Sequence, residues 1–260
     1  MADFQVVVVN RLTRLIGNVF KVLAYPFHWI FPNKRFAIPD FSKAKTIPSE
    51  KKQIPRKIWQ TNYSNMSTMP MYMNYLYNRM MSMSFDYQYV STEERDIYLK
   101  KHASPEVYQA YLKLNDGAAQ ADLWRLVVLN TEGGIYMDID ATLVWPLEKQ
   151  LKDNCGAMYV SLKKNGHYTN YFIASAPNNP VLTEVINNIV DNINNHDGEK
   201  SVYATTGPWV LTQALEGKDV YSRERKYVCI QGSFTNEHFQ YLDKPRGKWT
   251  HKSAKDIIKH

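Results

Sequence analysis

Four side chains between residues 117 and 148 have types and spacing that suit metal and phosphate chemistry. Asp138 and Asp140 stand two residues apart in the short apolar run GIYMDIDATLV, and Asp122 and Arg125 stand three apart in the segment before it. In a strand, residues i and i+2 point to one face, which would set the two carboxylates about 6–7 Å apart along one edge. Ile135, Met137 and Ile139 would take the other face. Two such carboxylates repel each other and are costly to bury unpaired. Their hard oxygens suit Mg2+ or Mn2+. Asp122 and Arg125 fall on one helix face, a spacing that a weak surface ion pair would share. Aspartate pairs also recur as caps and loop fragments; the Gly and Glu that would complete an EF-hand loop are missing.

These residues need a helix, a sharp turn and a strand in that order. The small-residue-rich segment 117–131 reads as the helix, and Gly133-Gly134 can end it and turn the chain. Upstream, IPRKIWQT (54–61) and FDYQYV (85–90) read as strands, and 65–83 as helical after Pro70, its Met and Tyr residues serving as core. Ser91 and Glu94 form a capping-box pattern that opens a helix to about Lys101, and Pro105 opens another. Downstream, AMYVSL (157–162), YFIASA (171–176) and YVCI (227–230) read as strands. Helices start at Pro180 and at Thr206-Gly207-Pro208. Strands alternating with helices imply an α/β fold.

The 260 residues carry a net charge of +7, unevenly spread. Residues 1–60 hold 11 Lys and Arg against 3 Asp and Glu, and residues 244–260 hold 6 against 1. The centre, 61–243, holds 15 against 21 and is acidic. A nucleic-acid groove would need its cations on the folded body, so nucleic acid is excluded as a partner and an anionic membrane surface is favoured. Two cysteines, Cys155 and Cys229, do not make a disulfide framework and suit a reducing compartment. Three regions are expected: a basic N-terminal region over 1–53, a catalytic domain over 54–243 and a basic tail over 244–260. Within the first, Arg11, Arg14, Asn18 and Lys21 recur at helical spacing while Val9, Leu12, Leu15, Ile16, Val19, Phe20 and Leu23 fill the other side. Such a basic amphipathic helix either lies in a membrane interface or packs on the body. No run reaches the length of a spanning helix, and no signal-peptide cleavage site follows. Residues 32–53, with Pro32, Pro39 and Pro48, read as a linker.

The ordered set Ala121-Asp122…Arg125, then Gly133-Gly134…Tyr136…Asp138…Asp140, then Pro146-Leu147-Glu148, resembles the glycosyltransferase family with the DXD sugar-binding region, glycosyltransferase family 32. Yeast initiating mannosyltransferases and bacterial capsule and lipopolysaccharide transferases share that pattern, and the opening strand 54–61 resembles the family's own. The likeness covers about residues 54–147 and is loose beyond 150. It implies a GT-A fold, a Rossmann-like α/β domain binding a UDP- or GDP-sugar with Mn2+ or Mg2+. It makes Asp140 the direct metal ligand and places Asp138 near the ribose or on the metal through water. Asp122 and Arg125 would hold the donor sugar. Trp59, Tyr136 and Gly134 would contact the donor, the two rings flanking the base. Trp249 would act as a lid, with His251 or Asn236 as a further metal or phosphate contact. His167, Asn170 and Thr206-Gly207 would line the acceptor side.

The resulting expectation is a retaining, metal-dependent transferase. It would move a hexose or N-acetylhexosamine to a glycan or glycolipid acceptor in bacterial surface-polysaccharide synthesis. It would sit in the cytoplasm as a peripheral protein on the inner membrane, since a eukaryotic Golgi enzyme would be expected to show a spanning anchor. Two rivals use the same features: a metal-dependent phosphohydrolase or nuclease built on the aspartates, and a non-catalytic membrane-surface module.

Overall fold

The computed structural model describes residues 2–47, 52–162, 166–196, 198–245, 247 and 253–259. The chain opens with a long helix, α1 (Ala2–Ile30), followed by two short strands, β1 (Phe36–Ala37) and β2 (Phe41–Ser42). Then come β3 (Lys57–Thr61), β4 (Met66–Ser67), α2 (Met69–Met81), β5 (Asp86–Val90), α3 (Thr92–His102), α4 (Pro105–Lys113) and α5 (Gly117–Glu132). β6 (Gly134–Met137) and β7 (Ala141–Leu143) flank the Asp-Ile-Asp segment. After the short α6 (Leu147–Gln150) run β8 (Ala157–Ser161), β9 (Tyr168–Ser175), α7 (Pro180–Asn194), α8 (Val202–Thr205) and α9 (Pro208–Leu215). The last strands are β10 (Ser222–Glu224) and, after the single turn α10 (Arg225–Val228), β11 (Cys229–Gln231).

Seven strands form one mixed sheet in the order β10-β8-β9-β6-β3-β5-β2. β3 runs parallel to both β5 and β6, and β9 closes antiparallel on β6. β6 alternates between two cores. Ile135 and Met137 enter the one shared with Met71 and Tyr75 of α2, and Tyr136 the one shared with Trp124 of α5 and Leu182 of α7. A strand covered on both faces reads as a continuous apolar run. α5 lies between sheet and α7 and is buried nearly all round from Ala119 to Leu129, the charged Asp122 and Arg125 included. The capping box at Ser91 forms both of its bonds. Asp116 caps α5 by accepting from the amides of Ala118 and Ala119.

Three expectations need correction. Asp138 and Asp140 are not on a strand: β6 ends at Met137, and Ala141 N–H donates to the Asp138 carbonyl at 3.0 Å, so Asp-Ile-Asp is a turn into β7. The described part of the 32–53 linker carries β1 and β2, and β2 is an edge strand of the main sheet, antiparallel to β5. The YVCI strand splits, with Tyr227 and Val228 in the helical turn and β11 running on to Gln231, where it pairs with β7.

Helix α1 packs on the body through a narrow polar and small-residue face. Val6, Asn10, Thr13, Gly17, Ala24 and His28 are buried. Asn10 donates to the Lys226 carbonyl and the Thr13 hydroxyl meets that of Tyr77. A Cβ on Gly17 would come within 2.3 Å of the Ser233 carbonyl oxygen, so glycine is what lets the backbones touch. Leu15, Val19, Val22 and Leu23 face away from the body and are exposed. No described helix is long and apolar enough to cross a membrane.

Candidate active site

The site lies at the carboxyl ends of the parallel strands. The chain goes from β3 to β5 on one side, then returns to place β6 on the other. Such a switch point opens a crevice where α/β sheets bind ligands. The Asp138–Asp140 turn stands at that crevice, with both carboxylates half-exposed. It is held on several sides. Asp138 N–H donates to the Tyr171 carbonyl of β9, and the Gln60 amide of β3 donates to the Asp138 carbonyl. From α2, the buried Asn74 amide donates to the carbonyls of Ile139 and Ala141, and Asn78 donates to the Ala141 carbonyl. The Asn78 side-chain oxygen accepts from Leu143 N–H.

The two carboxylates converge on one amide rather than on a strand face. Gln231 Nε2, at the end of β11, donates to Asp138 Oδ2 at 3.1 Å and to Asp140 Oδ1 at 3.2 Å. Asp138 Oδ1 also accepts from the Tyr136 hydroxyl at 2.7 Å and lies 3.4 Å from Arg125. Arg125, buried one wall deeper, bridges Asp138 and Asp122, with Asp122 at 2.9 Å. Its guanidinium sits 4.2 Å above the Tyr136 ring and donates to the Asn170 carbonyl. Asp122 accepts from the Asn170 amide at 2.9 Å and from the Thr206 hydroxyl at 3.0 Å. Asp122 and Arg125 are therefore a buried, fully partnered pair, not a surface one.

Burial dominates the electrostatics. It pushes the Asp122 carboxyl up to about 7, against the opposing pull of Arg125. Asp138 is also raised by burial, with Arg125 and the Tyr136 hydroxyl working the other way. Burial alone would lower Arg125; Tyr136 and the carboxylates override it and hold the guanidinium charged. The Tyr136 hydroxyl is raised far above the ordinary phenol and stays a donor.

A divalent cation fits the exposed side of this turn. Two carboxylates already lie within hydrogen-bond reach of one amide nitrogen, so their oxygens can face one ion. Mg2+ needs only one or two carboxylates when a substrate's phosphates and water complete its shell. Among the described residues, no cluster of three or more His, Cys, Asp or Glu could hold an ion by itself.

The remaining expected residues sit as follows. Trp59 is buried, its indole N–H donating to the Gly133 carbonyl and its ring edge-on to Trp124. Trp59 and Tyr136 as packed here support the turn from within the sheet rather than present a face to a base. Gly134, at φ 108°, lets β6 close on β3: a Cβ there would meet the Lys57 carbonyl oxygen at 2.6 Å. Asn170 and Thr206 join the site through Asp122. His167 instead packs on Trp209, and Gly207 against Tyr203. Asn236 caps a helical turn and donates to the Tyr25 hydroxyl. Trp249 and His251 lie outside the described residues. Gln231, Asn74, Asn78 and Gln60 were not anticipated. Only Gln231 had a signal, as the residue after the strand-like YVCI.

Comparison with known proteins agrees with this geometry. Residues 70–162 match the family described as glycosyltransferase sugar-binding region containing DXD motif. A protein of Acanthamoeba polyphaga mimivirus named as an uncharacterized glycosyltransferase is 32% identical over 114 residues, covering 40% of this chain and 44% of its own. A toxin of Photorhabdus asymbiotica is 35% identical over 127 residues, 45% of this chain and 4% of its own. An initiation-specific alpha-1,6-mannosyltransferase of Candida albicans is 22% identical over 253 residues, covering 76% of this chain and 66% of its own. The chain thus spans less than half the length of the first two and about two thirds of the third. The solved PaToxG glycosyltransferase superposes with a TM-score of 0.50 at 20% identity, covering 82% of this chain and 79% of its own, and shares the GT-A fold expected from the motif. The matched region, with the aspartate turn inside it, and these relatives make residues 70–162 similar to the glycosyltransferase sugar-binding region that contains the DXD motif.

Proposed function

We propose that the chain is a metal-dependent, retaining transferase. It moves a hexose or N-acetylhexosamine from a UDP- or GDP-sugar to a glycan or glycolipid acceptor. The observation that carries this is the continuous network Asp122–Arg125–Asp138, which ends at a half-exposed carboxylate pair in a crevice at a sheet switch point. Arg125, bridged to Asp122, braces Asp138 from behind, and the donor sugar would sit against this wall. Asp138 and Asp140 supply oxygens for the cation. When bound, Mn2+ or Mg2+ stabilises charge on the departing diphosphate as a Lewis acid. In the transfer, an acceptor hydroxyl oxygen bonds to the anomeric carbon as the bond to the diphosphate breaks. The electron pair leaves with the nucleoside diphosphate, whose oxygen takes the acceptor's proton.

For the setting we propose bacterial surface-polysaccharide assembly, in capsule or lipopolysaccharide, at the cytoplasmic face of the inner membrane. The motif's likeness to capsule and lipopolysaccharide transferases supports the first. The basic flank of α1 and the basic C-terminal residues suit an anionic leaflet and support the second.

Thermal stabilisation by UDP or GDP in the presence of Mn2+, followed by hydrolysis of a panel of nucleotide-sugars, tests the reading. One nucleotide should raise the melting temperature only with metal. Asp140→Asn should abolish metal-dependent donor hydrolysis, and undiminished hydrolysis by that variant would sink the assignment. A phosphohydrolase or a membrane module would show no nucleotide selectivity.

A further inference from the structure

Helix α1 presents two unlike surfaces to the space beside the aspartate turn. At 100° per residue, its buried positions 6, 10, 13, 17, 24 and 28 fall in one arc. Leu12, Leu15, Val19, Val22 and Leu23 fall in the opposite arc, and every one is more than half exposed. Arg14, Asn18 and Lys21 lie on the flank between the two arcs. A cavity of about 380 Å³ opens beneath that flank, walled by Arg14, Lys21, Tyr171, Arg225, Gln231 and Ser233. Gln231 is the residue whose amide holds Asp138 and Asp140, so the cavity adjoins the proposed transfer site.

The cavity is built for an anion. None of Arg14, Lys21 and Arg225 makes an ion pair with a carboxylate among the described residues; Arg14 donates to Asn10 and Lys21 to the Gly232 carbonyl. Ser233 is only 4% exposed, and its hydroxyl has no hydrogen-bond partner among the described residues. Buried hydroxyls are normally partnered, and three cations with a spare donor match the oxygens of a phosphate. Beyond Asn18 the outer face of α1 carries an exposed apolar strip of Leu15, Val19, Val22 and Leu23. Asn18 borders both. A cationic pocket beside an exposed apolar strip complements one kind of molecule, an amphiphile with its phosphate next to its hydrocarbon.

We propose that the outer face of α1 docks on a bilayer and that the cavity takes the phosphate of a lipid at its surface, with the chain of that lipid along the apolar strip of α1. Resting on the transfer reading, this makes the acceptor a glycan carried on a lipid phosphate, its hydroxyl brought to Asp138 and Asp140 across Gln231.

Flotation of the full chain with vesicles of phosphatidylcholine, with and without phosphatidic acid, tests it. The expected result is binding at least about tenfold tighter to vesicles with phosphatidic acid, since each cation near an anionic surface contributes several-fold. Arg14→Glu with Lys21→Glu should lose most of that preference, and Ser233→Leu, which fills the cavity without changing charge, should lose the part of it that survives high salt; both should keep binding to phosphatidylcholine. Leu15→Ser with Val19→Ser and Val22→Ser should lose binding to both vesicles. Lys100→Glu with Lys101→Glu, the same charge change far from α1, should keep the preference. Four outcomes overturn the proposal: an unchanged preference in the Arg14/Lys21 variant, equal losses in the Lys100/Lys101 control, displacement from vesicles by UDP with Mn2+, or stabilisation by inorganic phosphate with no vesicle preference. Displacement by UDP would assign the cavity to the donor. Flotation needs no turnover, so its failure leaves donor hydrolysis intact, and failed donor hydrolysis leaves flotation intact.

Discussion

Asp122 shows how burial, not spacing, decides what a residue does. On spacing alone it and Arg125 could have been an exposed i,i+3 pair. In the fold, the guanidinium is divided between Asp122, Asp138 and two carbonyls, and burial outweighs it at Asp122. The carboxyl rises from an ordinary 3.8 to about 7. The sign follows from proton counting. Below about pH 4 folded and unfolded chains are both protonated there. Between about 4 and 7 the folded chain holds a proton that the unfolded chain has lost, so stability from this group falls as pH rises. The melting temperature of the wild type minus that of Asp122→Asn should therefore fall across this window and level off above it. A flat difference would mean Asp122 is ionised throughout. Gln231 acts at the same scale. Groups that orient metal-binding carboxylates commonly change metal affinity by about 10–100-fold when removed, so Gln231→Ala should raise the Mn2+ concentration for half-maximal donor hydrolysis by that order. An unchanged metal requirement would make the amide incidental.

At the scale of elements, α2 is what fixes the aspartate turn. Met and Tyr at helical spacing made it look like plain core, and Met71 and Tyr75 are core. The helix's other contribution is Asn74 and Asn78, whose side chains satisfy the backbone of 139–143 from beneath. Asn74→Leu keeps the volume but strands the Ile139 carbonyl and loosens that of Ala141. An unsatisfied buried group costs about 1–3 kcal/mol, and for a chain of this size each kcal/mol lowers Tm by about 2–4 °C. Thermal melts should show a drop of that order, with a larger fractional loss of donor hydrolysis than Asn194→Leu at the exposed end of α7. An unchanged melt would show that the turn holds itself. This also explains how much could be read from sequence. Capping boxes, helix-starting prolines and apolar runs carry local signals, so α2, α3, α4, α5 and α7 and the central strands were legible. β1 and β2 have two residues each, too few for any period. The turn at 138–140 reads as a strand because Ile139 continues the alternation, and only contacts from Asn74, Gln60 and Gln231, far off in sequence, bend it.

Over the whole molecule, charge and apolar surface are sorted in a way no single element shows. The centre of the chain is acidic, the ends are basic, and α1 turns its polar face inward and its apolar face outward. An exposed apolar stripe of this length on one helix marks an interaction surface, and the cations beside it set which surface. Two electrostatic contributions with different salt responses should follow. Charges on the outer flank act through water, and raising ionic strength from about 0.1 to 1 M shrinks the screening length from about 10 to 3 Å. A phosphate within the Ser233 cavity is partly shielded from solvent and is screened less. The preference for phosphatidic acid vesicles should therefore fall steeply with salt to a residual plateau, and Ser233→Leu should remove the plateau while leaving the steep part. Binding to phosphatidylcholine, driven by apolar burial, should hold or strengthen over the same range. A preference that decays to nothing in wild type and variant alike would place the whole effect on the outer charges, and the cavity would then have no part in holding the lipid.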